Sequence, residues 1–124
     1  MPPDDLAARL LAALEHGDEL ALAGVLHRDV RLVVDAGDEA GREARGRVRV
    51  IRVLRAHFAM HPDASPRTVH VNGRPGLALR SLSGEVVAVL GVDGGATIEA
   101  LWLSAAPMKL ARWNPRRNLG PDVE

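Results

Sequence analysis

The stretch between residues 69 and 113 constrains the fold more than any other part of the chain. Clusters of turn residues interrupt it at three places: residues 72–73, 81–84 and 93–95. Glycine, asparagine and aspartate adopt the backbone angles that tight hairpins require, so these clusters predict turns between neighbouring strands. Four strands are predicted around the turns, at residues 69–71, 77–80, 85–92 and 97–104.

Both faces of the last two predicted strands are apolar. Side chains alternate between the two faces of a strand, and residues 85–92 place valine or leucine on each face. In the last strand Trp102 shares a face with Ile98, whereas Leu101 and Leu103 lie on the other. A sheet that is apolar on both faces has to be covered on both, by helices, by a partner chain or by a ligand. The pattern predicts a binding surface, but it does not identify a reaction.

The rest of the chain is predominantly helical in its pattern. Aspartates stand where the first two helices begin and can cap their free N–H groups, and apolar residues then recur at helical spacing. Pro62 ends the third helix. The first helix is predicted to begin within residues 2–5 and to end at residue 16, and two further helices are predicted at residues 18–26 and 46–60. A strand at 30–34 and a loop at 35–45 lie between the second and third helices, and a helical turn is predicted at 107–113.

The order helix, helix, strand, helix and four strands predicts an α+β fold. We expect a cone-shaped, curved, mixed or antiparallel sheet that wraps around a helix and encloses a hollow. A chain of 124 residues is most simply one domain, residues 1–113, followed by a flexible tail, residues 114–124. The core must be built from leucine, valine, isoleucine and alanine, because the only aromatic residues are Phe58, Trp102 and Trp113.

Composition removes several classes of function. Sixteen basic and sixteen acidic residues give a net charge of zero, which does not favour direct binding of nucleic acid or of an anionic membrane. The absence of cysteine excludes disulfides, thiolate metal sites and a cysteine nucleophile. The sequence contains no glycine-rich phosphate loop, no G-x-S-x-G motif and no apolar run long enough to span a bilayer. We therefore expect a cytoplasmic protein without a metal or a cofactor.

Two short segments resemble motifs of a known family. Residues 71–77 read V-N-G-R-P-G-L, and residues 107–110 read P-M-K-L. These resemble the V-N-G-x-P-G segment and the closing N-P-D-K-L motif of the C-terminal domain of SigJ-type extracytoplasmic-function sigma factors. That domain belongs to the SnoaL-like branch of the nuclear transport factor 2 (NTF2) superfamily. The closing motif departs from the pattern, since Ala106 and Met108 replace its asparagine and its aspartate.

The resemblance implies both a fold and a role. It implies the SnoaL-like cone and a regulatory module that binds a ligand or another protein without catalysing a reaction. The promoter-binding helical regions of those sigma factors are not present in this chain. The residues that carry the motifs, and are therefore candidates for interaction, are Asn72, Gly73, Pro75, Gly76, Pro107, Lys109 and Leu110.

Asp35 and His57 are the candidates for acid–base chemistry. Asp35 follows the first strand and, in a cone, would lie at the cavity mouth as a general base or as an anchor for a ligand; the alternative is a turn aspartate. His57 lies at the edge of the third helix, where it is either a polar group in the cavity or a packed histidine. His61 shares its helix face, but no glutamate lies between the two, so we predict no metal site.

Three further features have both a functional and a structural interpretation. Trp102 forms the wall of a ligand pocket, part of the core or part of a dimer interface. Asn72 is a candidate ligand contact or simply a turn residue, and Glu99 is the one carboxylate that the sheet places opposite Trp102. Six arginines between residues 42 and 55 form a basic run, which we interpret as a solvated helix face paired with nearby carboxylates.

These observations favour a non-enzymatic regulatory module. The alternative is a small SnoaL-like acid–base enzyme, of the isomerase, cyclase or hydrolase type, that acts on a hydrophobic polyketide-like or steroid-like substrate through Asp35 or His57. The expected partners are a second copy of the chain, a small hydrophobic ligand, and a sigma factor or RNA polymerase. We expect a homodimer because the outer sheet face is apolar and, in the family that the chain resembles, chains commonly pair through it.

Overall fold

The computed structural model describes residues 5–35, 42–71 and 73–114, with the backbone alone at residues 107–109. The predicted turn residue Asn72 and all of the predicted tail beyond Asn114 lie outside the described residues. The elements are α1 (Leu6–His16), α2 (Glu19–Val25), β1 (Leu26–Asp35), β2 (Arg42–Arg45), α3 (Arg47–Ala59), β3 (Ser65–Val71), β4 (Arg74–Arg80), β5 (Val86–Gly94), β6 (Ile98–Ser104) and a 3-10 helix (Pro107–Trp113).

The strands form one mixed sheet in the order β2-β1-β6-β5-β4-β3. Strands β3 to β6 make the predicted antiparallel meander, and β1 joins it by parallel pairing with β6. Among the described residues the edge strands β2 and β3 do not pair with each other, so the sheet is not closed into a barrel. The predicted α+β fold is therefore confirmed.

The helix pair at the N-terminus forms as its sequence predicts. The Asp5 carboxylate accepts a hydrogen bond from the N–H of Ala8 at 3.1 Å, and the Asp18 carboxylate accepts one from Ala21 at 3.1 Å. Gly17 ends α1 with a φ of 62°, a left-handed conformation that glycine adopts without strain. Within the described residues, no helix combines the length and the apolarity that crossing a membrane requires.

Two boundaries in the first half differ from the prediction. The first strand begins at Leu26 rather than at residue 30, because Leu26 is buried and pairs with Ile98 although the three residues after it are polar. The predicted loop at 35–45 contains a strand, β2, which pairs antiparallel with β1. Only Ala44 of β2 is buried, so this charged edge strand lacks the apolar alternation that identifies a strand in a sequence.

One face of the sheet packs against the helices. Leucines of β1, β4, β5 and β6 form this buried face with Val50 and Leu54 of α3 and with the inner residues of α1. Among the described residues, no buried side chain is polar or charged. The residues of the sheet that contribute to the core are Leu26, Val30, Leu32, Val34, Ala44, Leu77, Leu79, Ala88, Leu90, Val92, Ile98, Leu101 and Leu103.

Candidate functional site: the outer face of the sheet

Trp102 lies on the face of the sheet that points away from the helices, which we call the outer face. Its neighbours Leu101 and Leu103 are buried on the opposite face, whereas Trp102 itself is 45% exposed. In the register of the sheet it pairs with Gly91 of β5 and with Val33 of β1. The largest side chain of β6 is therefore offered to solvent or to a partner.

The indole of Trp102 packs across its glycine neighbour. A β carbon added to Gly91 would lie 3.6 Å from Cε3 of the indole and 3.9 Å from the tryptophan Cβ. Because glycine has no side chain, the ring can lie close to the β5 backbone and leave its other side uncovered. Cross-strand neighbours of this kind are the pairs that interact most closely on one face of a sheet.

A groove extends along the outer face beside the indole. Its volume is about 420 Å³. Arg74 and Ser104 supply its polar groups, and Arg74 forms an ion pair with Asp93. We call this cavity the outer groove; its lining residues are Val71, Arg74, Val89, Gly91, Val92, Trp102 and Ser104.

The 3-10 helix covers the neighbouring part of the outer face. Leu110 is buried there in a cluster with Ala78, Val86 and Val89, and Trp113 packs against the same cluster. Because Val89 also lines the outer groove, the covered and uncovered parts of the face meet at this residue.

A side-chain amide fixes the end of that helix to the sheet. The backbone N–H of Val86 donates to Asn114 Oδ1 at 2.8 Å, and Asn114 Nδ2 donates to the carbonyl of Val86 at 2.9 Å. Asn114 thereby occupies both backbone groups of a β5 residue, as a neighbouring strand would. Asn114 is the first residue of the predicted tail, and no local signal in the sequence indicates a contact between residues 28 positions apart.

Asp35 ends β1 beside the outer face. It pairs with Ser104, and the alternation of β1 places it on the side of Val33 rather than on the side of the buried Val34. Its carbonyl accepts a hydrogen bond from the N–H of Ala105 at 2.9 Å. The register thus places this half-buried carboxylate near the outer groove rather than over the helices.

His57 lies in the last turn of α3 and is half-buried. Burial lowers the pKa of His57 below its ordinary value of 6.5, and the nearby charges of His61 and Arg42 lower it further. The imidazole therefore stays neutral to a lower pH than an exposed histidine. Arg42 belongs to β2, a strand that the sequence pattern did not predict, so the proximity of Arg42 to His57 was not predicted either.

A pH-dependent stability follows from the lowered pKa of His57. Over the interval between its folded-state pKa and 6.5, the unfolded chain binds the proton more readily, so the free energy of unfolding decreases as the pH falls through that interval. Above it the effect is absent. We expect His57→Gln to reduce the loss of stability between about pH 7 and about pH 5, measured by urea unfolding. His70→Gln, at an exposed position of β3, is the control; equal losses in wild type and His57→Gln would contradict this assignment.

Of the remaining predicted residues, Gly73, Pro75 and Gly76 lie together in the β3–β4 hairpin, whereas Glu99 lies in β6. Gly73 has a positive φ of 82° in the β3–β4 turn, and Gly76 is buried in β4. Glu99 is exposed, and Pro75 is exposed beside the N-terminal end of α1. The side chains of Pro107 and Lys109 lie outside the described residues. Within the described ranges, no three histidine or carboxylate side chains are placed to hold a metal ion.

Comparison with solved structures identifies the fold. The extracytoplasmic function sigma factor SigJ of Mycobacterium tuberculosis superposes with a TM-score of 0.68 and 24% identity, over 87% of this chain and 44% of that one. A SnoaL-like protein of unknown function from Burkholderia thailandensis gives a TM-score of 0.55 and 15% identity, over 78% and 88% of the two chains. An NTF2-like protein from Burkholderia xenovorans gives 0.53 and 16%, over 86% and 91%.

The chain therefore has the SnoaL-like, NTF2-like fold, and the resemblance drawn from its sequence is confirmed at that level. It spans less than half of the length of SigJ. No protein-family model and no curated protein sequence matches it.

Proposed function

We propose that this chain is a non-enzymatic interaction module whose outer sheet face pairs with a second copy of itself. The observation that carries the proposal is the position of Trp102, half-exposed over Gly91 in the outer groove. Tryptophan is enriched at the centres of protein interfaces because it removes a large area from water while losing little conformational entropy. The groove opens on the face that the helices do not cover.

The charges of the outer face suit pairing with an identical surface. Near the β1–β2 edge Glu43 pairs with both Arg31 and Arg45, and Arg74 and Asp93 form an ion pair beside the groove. Each end of the face thus presents both signs of charge around an apolar centre. In a two-fold interface each patch meets its own copy, so a face that carries both signs of charge avoids the repulsion that a patch of one sign would suffer.

The buried face of the sheet gives less support to catalysis. Its described residues are leucine, valine, isoleucine and alanine, and no buried side chain among the described residues is ionisable. General acid–base catalysis needs a titratable group within hydrogen-bonding reach of the substrate. On this basis we favour binding over catalysis as the role of the domain.

The pairing through Trp102 can be tested by replacing the apolar indole in the groove with a charged side chain. Trp102→Asp is expected to convert a dimer to a monomer in sedimentation velocity, because two carboxylates would meet at the centre of the interface without their water. Leu82→Asp, at a turn residue that is 83% exposed, is the control and should remain dimeric. A Trp102→Asp protein that is folded by circular dichroism and still dimeric would refute the proposed interface. A wild-type monomer that binds a small apolar ligand at the groove would refute it in favour of the ligand.

We further propose that this interaction module has a regulatory role. This proposal draws on the resemblance to the C-terminal domain of SigJ-type factors and on the shared fold, so the partner would be a sigma factor or RNA polymerase. The immobilised chain is expected to retain one of these purified proteins. If it retains neither, the regulatory form of the proposal fails while the dimer proposal stands.

The second candidate function is a small acid–base enzyme, and His57 is the observation in its favour. A half-buried imidazole that stays neutral is suited to accept a proton. Screening of polyketide-like and steroid-like substrates would test this function. Any turnover that persists unchanged in His57→Ala and Asp35→Asn would exclude these residues as the catalytic groups.

A further inference from the structure

The side of α3 that faces away from the sheet has an unusual composition. Its residues are arginine or apolar, and it bears neither a carboxylate nor an uncharged polar side chain. Val48 is 70% exposed and Met60, directly after the helix, is 65% exposed. We call this side the α3 outer surface; its exposed residues are Val48, Arg49, Arg52, Arg55, Ala56, Ala59 and Met60.

The positive charge of this region is only partly neutralised. Residues 42–55 contain six arginines and one glutamate, although the whole chain is neutral. Arg55 pairs with Glu19 at 2.7 Å, and Arg45 pairs with Glu43 at 3.3 Å. Within the described part of the chain, neither Arg49 nor Arg52 forms an ion pair. Among the described residues an excess of positive charge therefore remains at the middle of the helix.

The pattern differs from that of a solvated helix face. Such a face normally mixes lysine, glutamate and other polar residues, often as ion pairs four positions apart. Here the exposed residues three or four positions from Arg52 are two further arginines, Arg49 and Arg55, and two apolar residues, Val48 and Ala56, which gain nothing from contact with water. Single exposed apolar residues are common, but here Val48, Ala56, Ala59 and Met60 form an apolar stripe that is interrupted at its middle by Arg52.

We propose that the α3 outer surface docks an acidic, amphipathic helix of a protein partner. Ala56 and Ala59 are small, so the partner helix can approach to the 8–10 Å that is typical of packed helices. Its apolar stripe would cover them, and its carboxylates would pair with Arg49 and Arg52. This site is separate from the outer groove, and it does not depend on the proposed dimer.

Other partners with negative charge fit the surface less well. A nucleic acid would leave the apolar stripe uncovered, and α3 offers no exposed aromatic side chain on which a base could stack. Membrane-surface helices insert tryptophan, phenylalanine or leucine, whereas the exposed apolar residues here are mainly valine and alanine. An acidic helix is the partner that uses both the charge and the apolar stripe.

The probe for this proposal is a labelled synthetic helix of about 18 residues with glutamate on one face and leucine on the other. Its binding to the full chain is measured by fluorescence anisotropy. We expect Arg49→Glu/Arg52→Glu to weaken binding at least tenfold, with salt weakening it further. Arg9→Glu/Arg67→Glu makes the same change of net charge at exposed arginines elsewhere, and it should leave binding within about twofold of wild type.

The outcomes separate the alternatives. Selective binding of the amphipathic peptide over a scrambled peptide of equal composition, lost in Arg49→Glu/Arg52→Glu alone, supports the proposal. Absence of binding, equal binding of both peptides, or equal loss in the two double variants overturns it. Tighter binding of a DNA duplex or of anionic lipid vesicles than of the peptide also overturns it. Circular dichroism of each variant excludes unfolding as the cause of a loss.

Discussion

Replacing Gly76 with alanine is expected to lower the free energy of unfolding by about 3 kcal/mol, because it overpacks the contacts of β4 with β5 and β3. A β carbon at this position would lie 2.6 Å from the backbone carbonyl oxygen of Leu90 and 2.7 Å from Cγ2 of Val71. The carbonyl belongs to β5, which is paired on both sides, so it cannot move without disturbing two strands. The second glycine of the V-N-G-x-P-G segment, Gly76, is thus required for steric reasons.

The control for this prediction is Gly91→Ala. Its new β carbon would meet the Trp102 indole at 3.6 Å, an ordinary contact, so we expect a cost below about 1 kcal/mol. Urea unfolding at one fixed protein concentration measures both variants. If Gly76→Ala were as stable as Gly91→Ala, the close approach of β4 to β5 would be contradicted.

Leu54→Ala is expected to cost about 3 kcal/mol or more, as is typical when a fully buried leucine leaves a cavity. Leu54 is 0% exposed and, with Val50, forms the buried line of α3 against the sheet. The same measurement on Val53→Ala, at a partly buried position beside it, should show a smaller loss. Similar losses in the two variants would mean that Leu54 does not lie on the side of α3 that packs against the sheet.

The hairpins were predictable because their turns have a local chemistry. Glycine, asparagine and aspartate mark the ends of β3 to β6, and the aspartates that cap α1 and α2 do the same for the helices. The strand β2 was not predictable, since its residues are charged except for Ala44 and its position depends on pairing with β1. The alternation of polar and apolar residues along the sequence does not indicate that a charged strand pairs with a neighbouring strand.

The candidate site was predicted only in part. The sequence singled out Trp102 and placed it opposite Leu101, but two apolar faces do not reveal which of them the helices cover. That choice depends on the packing of α1 and α3. The cover formed by the 3-10 helix was also missed, since it relies on the hydrogen bonds between Asn114 and Val86, far apart in the chain.

The central claim is that the outer face meets its own copy in solution, and site-directed crosslinking tests it most directly. The chain has no cysteine, so Ser104→Cys places a single thiol beside the outer groove, and Ser83→Cys places one in the exposed β4–β5 turn. With a short bifunctional maleimide, we predict a crosslinked product of about twice the 13.3 kDa chain mass for Ser104→Cys and, for Ser83→Cys, a single chain that carries the reagent at one thiol. No crosslinked product at position 104, or equal yields at the two positions, would contradict the claim.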